Sequence, residues 1–321
     1  MISPLTPDWM RPLGATGLQV SAVGMGGSPL GSMPQVFGYE VGYDDAVALV
    51  GAVLDSPVRL IDTANGYSGG ESERRIGAAI AARGGLPADF LVATKVDADG
   101  RDYSGDRVRA SVAESRQRLG LDVLPLVYLH DPEAHDFADL SGPGGAVETL
   151  RALRDEGVVG HLGLAGGDVH EMARYLDLGA FEVLLVHNRW TLIDHSAGPL
   201  IEQARSQGVA VVNAAVYGGG ILADPAGGST RYGYRPASPD TLRAVAAMDR
   251  LCRDAGTDLR TAALRASVDD PRITATVVGF SKPSRLSSTV DALTAELPPE
   301  LFDRLADLLP SPDNWLDFRG T

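Results

Sequence analysis

Three apolar runs in this chain end on a residue that a buried strand seldom carries. Leu60-Ile61 leads into Asp62, Ala93-Thr94 into Lys95, and Val127-Tyr128-Leu129 into His130, while Tyr67 follows Asp62 after a short Gly-containing stretch. Together these types have a chemistry. A phenol with a pKa near ~10 is a poor proton-transfer group at neutral pH. A neighbouring ammonium favours the phenolate and lowers that value, and a carboxylate paired with the ammonium keeps it charged and fixed. An imidazole then holds a substrate oxygen by hydrogen bonding. Such a set suits proton transfer to or from a carbonyl or alcohol oxygen, the half-reaction that accompanies hydride transfer. Taken singly, each residue has a plainer reading: Asp62 as a helix-approach cap, Lys95 as a strand-end chain snorkelling to water, His130 as a satisfied core histidine. Lys95 resists its plain reading most. Of 28 basic residues only Lys95 and Lys282 are lysine, so surface charge here is carried by Arg.

These residues need a scaffold that brings strand ends together. Short Val/Ile/Leu-rich runs predict strands over 20–25, 59–62, 90–95, 123–129, 160–164, 183–187, 210–214 and 276–279. Most are apolar throughout, as in a parallel sheet buried on both faces. Helix-length amphipathic segments lie between them, over 44–54, 71–83, 106–119, 146–156, 169–178, 199–207 and 240–255, with 284–292 and 299–308 closing the chain. Gly120, Gly157, Gly208 and Gly256 stand where helix C-caps belong. The fold class is therefore α/β, one TIM barrel of about eight β/α units spanning 1–321. Glycine, 38 of 321 residues, exceeds the usual ~7%. It recurs after strand ends (24–31, 66–70, 163–167, 218–220), where a barrel builds its active face. The Gly/Pro-rich stretch 222–239 reads as a long loop over that face.

Composition excludes several classes. A net charge of −14 and a pI near 4.8 argue against a nucleic-acid surface. The lone Cys252 rules out an internal disulfide or a cysteine-rich zinc site. Neither lysine sits in a Gly-x-x-x-x-Gly-Lys-[Ser/Thr] loop. No apolar run is long enough for a membrane span and the N-terminus lacks a signal-peptide pattern, so a cytoplasmic protein without membrane partners is expected. His170-Glu171 opens like a zincin motif but Arg174 ends it, and no metal is expected. Gly66-Tyr67-Ser68-Gly69-Gly70 fits the Gly-x-Ser-x-Gly elbow of hydrolases. Its strand, however, ends at Asp62 and no oxyanion segment of the His-Gly-Gly-Gly type occurs. Serine hydrolysis through Ser68 stays a remote alternative.

The surrounding motifs resemble those of the aldo-keto reductases. Asp62-Thr63-Ala64-Asn65-Gly66-Tyr67 with Glu73-Arg74-Arg75-Ile76-Gly77 is similar to their signature. Leu13-Gly14 through Ser21 resembles their N-terminal hairpin, Ser111 to Asp122 followed by Leu129-His130 the histidine segment, and Val277-Val278-Gly279 with Arg285-Leu286 the cofactor-phosphate loop. The resemblance covers about 12–295. It implies a (β/α)8 barrel binding NAD or NADP without a Rossmann domain. It implies that Tyr67 is the general acid-base, that Lys95 lowers its pKa, that Asp62 pairs with Lys95, and that His130 orients the substrate oxygen. It places the cofactor against Gly26, Gly27, Ala165, Gly166, His187, Asn188, Asn213, Tyr217, Gly218, Gly220, Leu222, Gly279, Ser281 and Arg285.

The departures from that pattern point to a branch. Ala165-Gly166 replaces a common Ser-Asn, His187-Asn188 stands for a Gln, and Ala214 for a stacking aromatic, which leaves Tyr217 or Trp190 to stack instead. Gly279 replaces the Lys of some 2′-phosphate sites while Arg285 remains, so NADP and NAD are both open. With His130-Asp131-Pro132-Glu133 and Asn188-Arg189-Trp190, these features look like the sugar-oxidising branch, which acts on L-fucose, L-galactose, D-threo-aldoses or pyridoxal. In that branch an aldose is oxidised at C1 to a lactone. NADPH-dependent reduction of aldehydes or ketones is the alternative. Ser28 with the loop that follows it, Glu133 and Trp190 are the expected substrate contacts, and Trp315 and Phe318 either cover the site or join the core. The sequence sets no oligomeric state.

Overall fold

In a computed structural model, which describes residues 2–317, the apolar runs become strands because both of their faces meet apolar neighbours. β1 (Met10–Pro12) and β2 (Gln19–Ser21) form an antiparallel hairpin. β3 (Val23–Gly26), β4 (Leu60–Asp62), β5 (Leu91–Val96), β6 (Leu124–His130), β7 (Val159–Gly166), β8 (Val183–His187) and β9 (Ala210–Ala214) follow. A two-residue ribbon, β10 (Arg231–Tyr232) with β11 (Arg235–Pro236), precedes β12 (Ala275–Gly279). β12-β3-β4-β5-β6-β7-β8-β9 close into a barrel whose pairs are all parallel.

The helices that cover the barrel are α1 (Tyr43–Leu54), α2 (Glu71–Arg83), α3 (Gly105–Leu119), α4 (Ala146–Asp155), α5 (Val169–Leu176) and α6 (Gly198–Ser206). α7 (Pro239–Asp254), α8 (Leu259–Val268), α9 (Pro283–Thr294) and α10 (Leu301–Ala306) complete them. Ser104 caps α3 and Asp168 caps α5 with side-chain oxygens, as helix starts require. Gly120, Gly157, Gly208 and Gly256 all take positive φ at helix exits, where the sequence placed caps.

Two elements differ from expectation. The single run 20–25 divides at Ala22. The Ser21 hydroxyl donates to Val23 O at 2.6 Å and accepts from Arg59 N–H at 2.8 Å, which turns the chain out of the hairpin and into the barrel. The hairpin then plugs the N-terminal end of the barrel: Leu13 and Val20 join Leu60, Leu91, Leu126 and Val183 in one buried cluster. Further along, the crossover between β9 and β12 is α8, not the segment 240–255. α8 buries Leu259, Ala262, Ala263, Leu264 and Val268 around most of its circumference, so it lacks the apolar stripe that announces a surface helix. α7 lies outside it, packed with α10 around Met248, Leu251, Leu301 and Leu305 in a cluster that α8 joins through Leu259, Ala262 and Ala263.

Candidate active site

The C-terminal ends of the barrel strands share one rim, and Lys95 is fixed there first. Its side chain is only 1% exposed. The ammonium donates to Asp62 Oδ1 at 2.6 Å and to Thr63 O at 2.7 Å, and lies 3.3 Å from the Tyr67 hydroxyl. Burial alone would lower the Lys95 pKa, but Asp62 and Tyr67 reverse this and hold it above its ordinary value. Lys95 is thus a permanently charged donor. Burial raises the Tyr67 phenol, and Lys95 lowers it by charge and by hydrogen bond, as the sequence expects. Of the two effects burial is the larger, and the ammonium offsets part of it.

The loop that carries Tyr67 is pinned from behind. Arg118 donates to Asn65 O at 3.0 Å and to the buried Glu73 carboxylate at 3.1 Å. Glu73 also accepts from the Thr94 hydroxyl at 2.6 Å. A Cβ on Gly77 would collide with the Arg118 carbonyl oxygen, so glycine lets α2 and α3 close against each other. Glu73 and Gly77 therefore place Tyr67 without touching any reactant.

Asp97, just past β5, links the two remaining parts. Its Oδ2 accepts from Gly66 N–H at 2.6 Å and its Oδ1 lies 2.6 Å from His130 Nδ1. The Tyr67 and His130 rings meet edge to face at 5.7 Å. The Tyr103 hydroxyl donates to Val96 O at 2.7 Å and accepts from His130 N–H at 3.0 Å, which locks the ends of β5 and β6 together. The four residues singled out in sequence thus converge, and Asp97 joins them.

The rest of the rim is polar. Asp131 takes positive φ and stands between two imidazoles, 3.8 Å from His130 Nε2 and 3.9 Å from His187 Nε2. Burial alone would raise its pKa, but His187 and His130 win and hold the carboxyl at about 2. Tyr234, carried in by the β10–β11 ribbon, faces His187 at 6.4 Å, so the stretch 222–239 does reach over the active face. Ser28 opens the turn that follows β3 on this rim. Among these, Asp97 and Tyr234 escaped the sequence reading, and Asp131 entered it only as part of the His-Asp-Pro-Glu segment.

Other expected contacts point elsewhere. Glu133 Oε1 accepts from Gly167 N–H at 2.5 Å and Asp168 N–H at 3.1 Å, and so ties the β7–α5 loop. Trp190 runs outward into the helix layer: its indole N–H donates to Asp270 at 3.0 Å, and its ring stacks on His195 at 4.5 Å. Trp315 packs near His195, and Phe318 lies outside the described residues. The Ser68 hydroxyl, buried, has no hydrogen-bond partner among the described residues and hence no base to activate it.

The cofactor residues divide the same way. Gly26 and Gly27 end β3 beside Asp62, with Gly27 N–H bonded to Asp62 O at 2.7 Å. Ala165 and Gly166 end β7 and Gly279 ends β12. Gly218, Gly219 and Gly220 all have positive φ, and a Cβ on either of the last two would meet nothing within 4 Å, so that backbone is open to a ligand. Tyr217 stands beside them under the Arg260 guanidinium at 5.6 Å, with Arg285 close enough to act on the same phenol. Ser281 pairs with Tyr39. Two guanidinium groups flanking an open glycine turn fit the phosphates of a dinucleotide. Asn188 is buried, its amide on His187 Nδ1 at 3.1 Å. Asn213 bonds Trp190 O and Ser267, and Leu222 lies in the outer cluster, so these two support the wall from behind. Among the described residues no His/Cys/Asp/Glu group could hold a metal, and no helix is long and apolar enough to cross a membrane.

A parallel β/α barrel with a paired lysine, a phenol and an imidazole at its mouth, and a phosphate-suited glycine turn alongside, defines a nicotinamide-dependent oxidoreductase. The chain belongs to the aldo/keto reductase family, whose model matches residues 22–310. It is 33% identical over 295 residues to the L-galactose dehydrogenase of Arabidopsis thaliana, covering 90% of this chain and 89% of that one. It is 31% identical to a D-threo-aldose 1-dehydrogenase of a Pseudomonas species, covering 93% and 97%. In fold it matches the glycerol dehydrogenase of Gluconobacter oxydans with a TM-score of 0.76 over 98% of this chain and all of that one, at 20% identity.

Proposed function

We propose that this protein oxidises an aldose at C1 to the lactone with NAD⁺ or NADP⁺. The observation that carries this is the convergence of a fixed ammonium, a phenol and an imidazole on one rim, Lys95 Nζ standing 3.3 Å from Tyr67 Oη and His130 beside it. In this reading the reacting hydroxyl sits between Tyr67 and His130: Tyr67, beside the Lys95 ammonium, is the general acid-base that exchanges its proton, and His130 orients the oxygen. A nicotinamide cofactor bound on this rim would supply the acceptor for the C1 hydride. Asp131, His187 and Tyr234 widen the polar rim beyond the reacting pair, which suits a polyhydroxylated substrate better than a plain aldehyde. The names of the two sugar-oxidising relatives agree with this reading.

A panel of aldoses with NAD⁺ and NADP⁺, followed by absorbance of the reduced cofactor, tests it. Turnover confined to simple aldehydes and alcohols would remove the sugar assignment. Residues Gly26, Gly27, Tyr217, Gly218, Gly220, Ser281 and Arg285, with Arg260, hold the cofactor in this reading. This reading assigns the 2′-phosphate to Arg285. Arg285→Ala should then raise KM for NADP⁺ about 10- to 100-fold, the loss of one charge-assisted bidentate contact, and leave KM for NAD⁺ within about threefold. Equal effects on both cofactors would move Arg285 to the pyrophosphate.

A further inference from the structure

The geometry points to Asp131 as a specificity residue of this rim: its carboxylate accepts a hydrogen bond from a hydroxyl on the carbon next to the reacting carbon, so the site selects 2-hydroxy substrates over their deoxy analogues. The inference rests on the reading that Tyr67 and His130 hold the reacting oxygen. His130 Nδ1 is taken by Asp97 at 2.6 Å, which leaves Nε2 for the substrate. Asp131 Oδ2 lies 3.8 Å from that nitrogen. The gap is too long for a direct hydrogen bond. It is wide enough for two oxygens side by side, one on each partner. Neighbouring oxygens of a staggered diol stand roughly 3 Å apart. A reacting oxygen on Nε2 therefore brings the next hydroxyl within reach of Oδ2.

The carboxylate is held in place, charged and open. The Asp131 N–H donates to Ala165 O at 2.8 Å, and the residue takes φ 42° and ψ 48° just before the turn that Pro132 begins. Few residues with a side chain adopt that conformation, and Asp is one of them. On the far side His187 Nε2 stands 3.9 Å from Oδ1, its own Nδ1 meeting the Asn188 amide at 3.1 Å. Partial burial would raise the carboxyl pKa, but His187, His130 and Lys95 outweigh it, so the group is ionised at neutral pH. Its charge also reaches the Tyr234 phenol, which places it in the space between β6 and the β10–β11 ribbon. Half of the side chain, 52%, is exposed there. An ionised carboxylate accepts and never donates. A hydroxyl on the neighbouring carbon gives it a charge-assisted bond, and a hydrogen at that position leaves it unpaired.

Substrate pairs that differ only at that carbon read the contact. One pair is an aldose and its 2-deoxy counterpart, followed in oxidation. The other is lactaldehyde, each enantiomer separately, and propanal, followed in reduction. Wild type should favour the hydroxylated member in kcat/KM by about 10- to 100-fold, the range of a hydrogen bond to a charged group. Asp131→Asn removes the charge but keeps a residue that tolerates positive φ, and should cut the preference to about threefold. Asp131→Gly suits the same backbone without any side chain, and should bring the ratio to about one. Each ratio is taken within one variant, so a general loss of activity cancels. Equal kcat/KM for both members in wild type, or a preference that Asp131→Gly retains, would overturn the inference. Selection of lactaldehyde over propanal without turnover of any aldose would remove the sugar assignment and leave the role of Asp131 standing. Turnover of neither pair would remove both.

Discussion

Tyr67→Phe should lower kcat by about 10²–10³-fold while cofactor binding, read by quenching of protein fluorescence, changes less than about twofold. The magnitude is that of one preorganised donor aimed at a reacting oxygen. The substitution removes only the hydroxyl. The ring keeps its edge-to-face contact with His130 at 5.7 Å and its place 4.7 Å from Lys95 Nζ, so the fold has no reason to move. The neighbouring residue supplies the control. Ser68→Ala deletes a hydroxyl that bonds to nothing among the described residues, and should leave kcat within about twofold. The reverse pattern, an inactive Ser68→Ala beside an active Tyr67→Phe, would support a serine nucleophile instead.

Asp62→Asn should be the most damaging change to stability. It removes the carboxylate paired with the Lys95 ammonium, 1% exposed, and leaves only neutral acceptors: the new amide oxygen, one carbonyl and one phenol. Breaking a buried ion pair from one side costs about 3–5 kcal/mol, which for a chain of this size corresponds to a Tm lower by roughly 10 °C. Adding Lys95→Met to Asp62→Asn should recover much of that loss, because no charge is then buried, yet activity should stay low without the ammonium. A double variant as unstable as the single one would mean that Lys95 is held by something other than Asp62. The pH dependence has a definite sign. Burial acts to lower the Lys95 pKa, but Asp62 and Tyr67 raise it overall. The pair therefore contributes fully below the unfolded lysine value of ~10.4 and fades only as pH rises toward the higher folded value. Wild type should keep its Tm advantage over the double variant from pH 6 to pH 9 and lose it only above about pH 10.

Much of the site was legible because the sequence offered contrast. Lys95 stands out in a chain that otherwise uses Arg, and a lysine, an aspartate and a histidine at the ends of apolar runs are costly to bury unless used. The barrel was legible for the same reason: strands apolar on both faces and spaced by helices have few other solutions. What was missed lacked contrast. Asp97 is one among 42 acidic residues, and only the geometry separates it from surface charge. α8 is buried on too many sides to show a period. Tyr234 arrives on a short ribbon within a segment whose composition says only loop. Trp190 was expected at the mouth, but Asn188 at positive φ turns the chain there, and the indole follows it outward to Asp270. Glu133 was expected to meet substrate, yet its carboxylate accepts from the Gly167 and Asp168 N–H groups and closes a loop instead.

Hydride removal from the anomeric carbon of a sugar on this rim can be followed with an aldose deuterated at C1. The deuterium should appear on the nicotinamide ring of the reduced cofactor, one atom per lactone formed. A reduced cofactor free of deuterium, or deuterium retained in the sugar product, would contradict it.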